Sequence, residues 1–235
     1  MIPFRTTAPC HRSPVVSVSL IFLNIAVFFY QEGLADQAEL AFISTFALIP
    51  AVYGDPAAAR DAGLDPTNLL PLISNTFLHG GYLHLIVNMW TLWLFGLPVE
   101  DRLGPGRFTA LYLGCGAAGS LAHLAFNLAS QVPALGASGA IAGVLGAFVW
   151  IYPRARVAAV VPIIVIPWIV HLPAILFAGI WFAIQIIEGW AALGDDPLAG
   201  GIAWWAHIGG FAAGLAFAVA FHARERSRAA GPWEQ

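Results

Sequence analysis

The sequence predicts an all-α membrane protein: a bundle of six transmembrane helices with both termini on the cytoplasmic side. Three observations predict it. Hydrophobic residues fill 59% of the 235 positions and charged residues only 10%, against about 25% charged in a soluble domain, and mean hydropathy is +0.77. The apolar residues fall into six runs near the roughly 20 residues, range about 17–25, that a helix needs to cross the hydrocarbon core. The third is the placement of arginine, the chain's only cation besides histidine. Arg5 and Arg12 precede the first run, Arg102 and Arg107 separate the second and third, Arg154 and Arg156 the fourth and fifth, and Arg224, Arg226 and Arg228 follow the sixth. Only Arg60 falls on the other side, as the positive-inside rule expects of six spans.

Span one covers about 15–31. Gly33-Leu34-Ala35 behind it has the small residues of a signal-peptide cleavage site, but removing this segment would leave an odd five spans. Loop 32–73 is the long outer connection. It holds Glu32, Asp36, Glu39, Asp55, Asp61 and Asp65, with an apolar run around Phe42, Phe46 and Leu48 that is expected against the outer leaflet or the helices. Span two covers about 74–97, span three 108–128 and span four 136–152. The stretch 157–187 is uncharged, too long for one span and interrupted by Pro162, Pro167 and Pro173. Proline removes a backbone donor, so the first part is read as an interfacial or partly buried connection and 172–191 as span five. Span six covers about 203–222, after an outer connection carrying Asp195 and Asp196. Trp190, Trp204 and Trp205 near outer ends and Trp90, Trp93 and Trp150 near inner ends resemble two aromatic belts. Residues 1–235 are read as a single membrane-embedded domain with the lipid bilayer as its solvent. No basic stripe suggests nucleic acid, and Cys10 and Cys115 suggest neither a disulfide framework nor a metal knuckle.

Polar groups inside a span are a functional hypothesis by default. Span two carries His79, His84 and Asn88, span four Ser138, and span six His207. All three spans run from outside to inside and hold these groups in their first halves, so the residues share one layer near the outer face. Gly139, Gly143 and Gly146 line span four, and Gly210 and Gly214 line the His207 side of span six. Small residues let helix backbones approach closely, which a short serine needs in order to reach a histidine on another helix. A serine hydroxyl becomes a good nucleophile when a base takes its proton. Ser138 with His207 therefore reads as a dyad, there being no carboxylate in these spans. Free amides in the first turn of span four, with His84 and Asn88, would stabilise an oxyanion.

These motifs resemble the rhomboid family of intramembrane serine proteases over roughly residues 15 to 222. The serine motif stands as Gly136-Ala137-Ser138-Gly139-Ala140, the histidine motif as Ala206-His207-Ile208-Gly209-Gly210 through Gly214, and the second-span pattern as His79, His84 and Asn88. Glu100-Asp101-Arg102-Leu103-Gly104 also looks like the family's second connection. The resemblance implies Ser138 as nucleophile, His207 as general base, His84, Asn88 and the Ser138 amide as oxyanion donors, His79 as their support and Gly136 as the residue shaping the turn. It implies no cofactor, single-span transmembrane proteins as substrates cut near the outer face, and a bacterial cytoplasmic membrane as the location. There are two departures. Ala142 stands where members often carry an aromatic ring over the histidine, so something else must hold His207. Loop 32–73 has no tryptophan, so the tryptophan–arginine pair of many members is missing.

Other readings are weaker. Zinc on His79, His84 and His207 lacks a His-Glu-x-x-His pattern, and a spacing of five splays His79 and His84 apart on a helix. A transporter or channel would call for core acids or an internal repeat. A catalytically inactive relative that binds membrane proteins would be marked by loss of the serine or histidine. Asn24 and Gln185 read as interhelical glue, His171 as structural and Glu188 as an interfacial acid.

Overall fold

The computed structural model describes residues 1–163, 166–193 and 202–229. Asp195 and Asp196 lie outside them. In chain order the elements are β1 (Ile2–Thr6), α1 (Val15–Glu32), α2 (Asp36–Phe46), α3 (Pro50–Gly54), α4 (Pro56–Asp61), α5 (Pro71–Ser74), α6 (Tyr82–Thr91), α7 (Leu97–Leu103), α8 (Pro105–Phe126), α9 (Ser138–Ile151), β2 (Arg156–Ile163), β3 (Ile166–Pro173), α10 (Ala174–Ala191) and α11 (Trp204–Ala229). A π-helical turn, Leu92–Gly96, joins α6 to α7 into a continuous helical stretch. Among the described residues, five helices are long and apolar enough to cross a membrane: Val15–Glu32, Tyr82–Leu103, Pro105–Phe126, Ala174–Ala191 and Trp204–Ala223. The chain is thus an integral multi-pass membrane protein built as a helical bundle.

Two spans differ from expectation. The second begins at Tyr82 rather than near 74 and runs on to Leu103. Gly80 and Gly81 follow an extended Leu78 and break the helix, because glycine loses most on being ordered there. The fourth, α9, has only 14 residues, Ser138–Ile151. It is buried at every position from Gly139 to Val149. A helix enclosed by protein has no need to match the bilayer's thickness.

The enclosure comes from α8 and α11, and small residues set its dimensions. A Cβ at Gly119 of α8 would lie 2.6 Å from the Ala206 carbonyl oxygen, and one at Gly143 of α9 would run into Cys115 of α8. At the far end, α7 fastens α1. The Glu100 carboxylate accepts from the Val16 and Ser17 amides (2.8 and 2.6 Å) and Asp101 from the Arg12 amide (2.7 Å). An acid from another helix therefore satisfies the free donors at the start of α1, where the helix dipole favours negative charge.

The connection before span five, read as interfacial or partly buried, is a β-hairpin, β2–β3, and β1 extends it into a three-stranded antiparallel sheet, so the bundle is not purely helical. Prolines bar a helix there, while the valines and isoleucines suit strands. Ile2 pairs with Val160 and Thr6 with Val157. The Trp90 indole donates to the Pro3 carbonyl (2.7 Å), tying β1 to α6. His171 lies in β3 opposite Ala158.

Loop 32–73 is mostly short helices. Phe42 of α2 packs its ring on Tyr30 of α1, and Leu48 is buried. Thr67 donates both its amide and its hydroxyl to Asp65, which holds that carboxyl below its usual value. Leu48 and Ala134 exchange two backbone hydrogen bonds (3.0 and 2.7 Å), pinning the loop to the segment that leads into α9.

Candidate active site

The site begins at Gly136. Its φ of +126° is a conformation that side chains rarely adopt, and its amide donates to the Asn75 carbonyl (2.8 Å). An added Cβ would stand 2.6–2.7 Å from the His84 ring and 3.6 Å from Asn88 Nδ2. This glycine lets the chain turn sharply against α6 and start α9 two residues later. Ser138 is the first residue of α9, where backbone amides have no helical carbonyl to meet and the dipole favours an anion.

His207 lies in the first turn of α11, buried, and its Nε2 sits 2.8 Å from Ser138 Oγ. The glycine seam makes this reach possible. A Cβ at Gly210 would collide with the Gly139 carbonyl, one at Gly214 with the Gly143 carbonyl and one at Gly146 with the Phe211 carbonyl. The backbones of α9 and α11 touch along their shared length.

The other ring nitrogen of His207 meets a residue that sequence reasoning set aside. Gln185 Oε1 of α10 is 2.6 Å from His207 Nδ1, while Gln185 Nε2 donates to the Trp181 carbonyl (3.3 Å). From its sequence position Gln185 reads as interhelical glue. It does join two helices, but at the histidine. The available signal was a polar amide in an otherwise apolar span, four residues after Trp181. The aromatic support missing at Ala142 comes from elsewhere. The Trp181 ring lies 5.8 Å from the His207 ring, and Trp204, one turn before His207, meets it edge-on at 6.2 Å.

His84 and Asn88 share a face of α6, as their spacing predicts, and both lie against Gly136. Asn88 is buried, and among the described residues its Nδ2 has no hydrogen-bond partner, leaving a donor unspent beside the turn. His79 precedes the helix rather than sharing it. Being off the helix, it is not splayed away: its fully buried ring meets the His84 ring edge-on at 5.1 Å. Gln31 of α1 donates to the His79 carbonyl (3.2 Å). Three polar residues unnamed in the sequence reading, Asn75, Ser120 and His123, line a small cavity with Gly136 and Ser138. Asn75 Nδ2 donates to Ser120 Oγ (2.8 Å). The ensemble holds a hydroxyl bonded to an imidazole, with amide and side-chain donors beside it: the parts that acyl transfer requires.

Comparison with known proteins places these residues in a wider set. The rhomboid domain family matches residues 66–224, a stretch containing every site residue above except Gln31. Mitochondrial rhomboid protein 1 of Saccharomyces cerevisiae is 34% identical over 177 residues, 71% of this chain and 48% of its own length. The mitochondrial presenilin-associated rhomboid-like protein A of Danio rerio is 33% identical over 152 residues, 61% of this chain and 35% of its own. Rhomboid protease GluP of Bacillus subtilis is 44% identical over 80 residues, 34% of this chain and 15% of its own. The chain thus spans about half or less of the length of these curated relatives.

Proposed function

The chain belongs to the rhomboid family, and from that premise we propose that it is an intramembrane serine endopeptidase, a single rhomboid domain that cuts single-span membrane proteins near the outer face. The observation that carries the reading is the 2.8 Å contact between Ser138 Oγ and His207 Nε2 inside the bundle. In the first half-reaction Ser138 Oγ bonds to the scissile carbonyl carbon as its proton passes to His207 Nε2. The carbonyl oxygen takes the negative charge. The Ser138 amide, the unspent Asn88 Nδ2 and His84 are the donors assigned to it, and each such donor is worth about 10²–10³ in rate in a well-studied case. The carbon–nitrogen bond then breaks, and His207 returns the proton to the departing amine. Water repeats the sequence on the acyl-serine, giving the second product and free Ser138.

A helical substrate hides its carbonyls in hydrogen bonds, so the cut falls where glycine or proline weakens the helix. The location is read as a bacterial cytoplasmic membrane, with the arginine-rich ends inside. That rests on the sequence, since two of the three relatives above are mitochondrial by name.

A fluorescent fluorophosphonate, which traps activated serines, tests the assignment. Detergent-purified wild type is expected to label and Ser138→Ala to remain dark. Folded wild type that does not label would overturn the reading in favour of a relative that binds membrane proteins without cutting them.

A further inference from the structure

A histidine can serve Ser138 as a base only with its proton on Nδ1 and a lone pair on Nε2. Nothing in an isolated imidazole enforces that choice, and among the described residues no carboxylate is bonded to His207 to do so. The geometry at α10 does enforce it. The Trp181 carbonyl can only accept, so it draws an N–H of the Gln185 amide (3.3 Å) and turns Oε1 the other way. Oε1 can only accept too, so its 2.6 Å contact with His207 requires the proton on Nδ1. The lone pair on Nε2 is then left facing the Ser138 hydroxyl at 2.8 Å. Gln185 is 4% exposed, so these bonds lie inside the bundle.

We propose that Gln185 is a positioning residue that fixes the tautomer and the ring orientation of His207, making the site a serine–histidine–glutamine relay held by three helices. The proposal rests on the protease reading above. As Ser138 Oγ bonds to carbon, its proton moves to Nε2. The Nδ1–H stays on His207 and continues to donate to Oε1, so Gln185 neither gains nor loses a proton. A neutral amide thus performs the orienting part of a triad carboxylate's role without placing a charge in the membrane, where charge is costly.

The test uses the full chain in lipid nanodiscs and two probes: the fluorophosphonate, and a quenched fluorogenic peptide of one apolar helix with an Ala-Gly pair near its outer end. Gln185→Leu removes the acceptor. Gln185→Asn keeps the amide but withdraws it by one carbon–carbon bond, about 1.5 Å. Gln185→Glu restores an acceptor at full reach. Leucine and asparagine are expected to lower kcat by about 10²-fold, as misplacement of a reacting group does, with KM and the thermal midpoint little changed. Glutamate is expected to recover most of the rate. A merely structural role would move the midpoint and would not separate glutamate from leucine. Wild-type-like kcat in folded Gln185→Leu or Gln185→Asn, or Gln185→Glu as slow as leucine, overturns the proposal and leaves the protease reading standing. Should leucine fail to fold, the contrast between asparagine and glutamate decides. Wild type that neither labels nor cleaves overturns both.

Discussion

A Cβ placed on Gly210 or Gly214 of α11 would strike a carbonyl oxygen of α9, whereas one placed on Gly179 of α10 would meet nothing within 4 Å. The same substitution separates two kinds of packing in one bundle. Along the α9–α11 seam, backbone lies on backbone and neither helix can slide without collision. Along the α10 flank, large side chains such as Ile175, Ile187 and Trp190 stay exposed. A cleft of about 650 Å³, lined among others by Val149, Ile175, Phe182 and Leu215, separates α10 from the ends of α9 and α11. Ser138 and His207 stand on the seam, while Gln185 and Trp181, which touch His207 from the side, stand on the flank. The pair assigned to the chemistry is held by the part of the fold that cannot shift. The two residues that touch His207 from the side come from α10, whose opposite end borders the cleft.

The sharpest way to break this contrast is Gly214→Val. The added atoms would force α11 off the Gly143 carbonyl. Overpacking typically costs about 1–3 kcal/mol and occasionally more, and this contact with a rigid backbone belongs at the upper end. A clear fall in thermal midpoint and loss of fluorophosphonate labelling are expected. A stable, labelling Gly214→Val would show the seam to be slack. Next comes Gly136→Ala, where the seam opens into the site. It sets a side chain at φ +126°, a strain of about 1–3 kcal/mol, and pushes on His84. Labelling is expected to slow by about 10²-fold, as for a lost oxyanion donor, in protein that still folds.

On the flank, Trp181→Ala removes a ring from beside His207 but leaves its own backbone carbonyl for Gln185. A fall in kcat of about tenfold, equivalent to about 1.4 kcal/mol, is expected, measured with the fluorogenic peptide. A loss as deep as that of Gly136→Ala would mean that the ring, rather than the relay, holds the histidine. The smallest effect is assigned to Gly179→Ala. With open space around the new methyl and helix propensity favouring alanine by up to about 1 kcal/mol, a thermal midpoint at or slightly above wild type is expected. A marked drop would show that α10 packs more tightly than the seam contrast allows.

The seam was legible in the sequence because its signal is local. Gly139, Gly143, Gly210 and Gly214 repeat at helical spacing, and Ser138 and His207 fall at matching depths in their runs. The depth argument also brought His84 and Asn88 to the site. Gln185 escaped because its meaning depends on which residue of another helix faces it, and spacing within α10 carries no such information. Span four reads as about 136–152, and α9 is helical over Ser138–Ile151; hydropathy places it because a helix buried in protein is as apolar as one spanning lipid, and for the same reason does not tell the two apart. The break before Tyr82 was written in Gly80-Gly81, but the surrounding apolar residues masked it. The pairing of β1 with β2 joins segments whose hydrogen-bonded residues Thr7 and Arg156 lie 149 positions apart, and no periodicity in either strand announces the other.

That pairing also sets an order of assembly. Ile2–Thr6 is separated from its partner, Val157–Val160, by the whole of α1 through α9. Until the two segments meet, the backbone groups of Ile2–Thr6 lack their strand partner, and unpaired edges invite wrong partners. Contacts that close so long a loop form slowly. The sheet therefore works as a clasp, holding the segment before α1 beside α6 through a partner from the other side of α9.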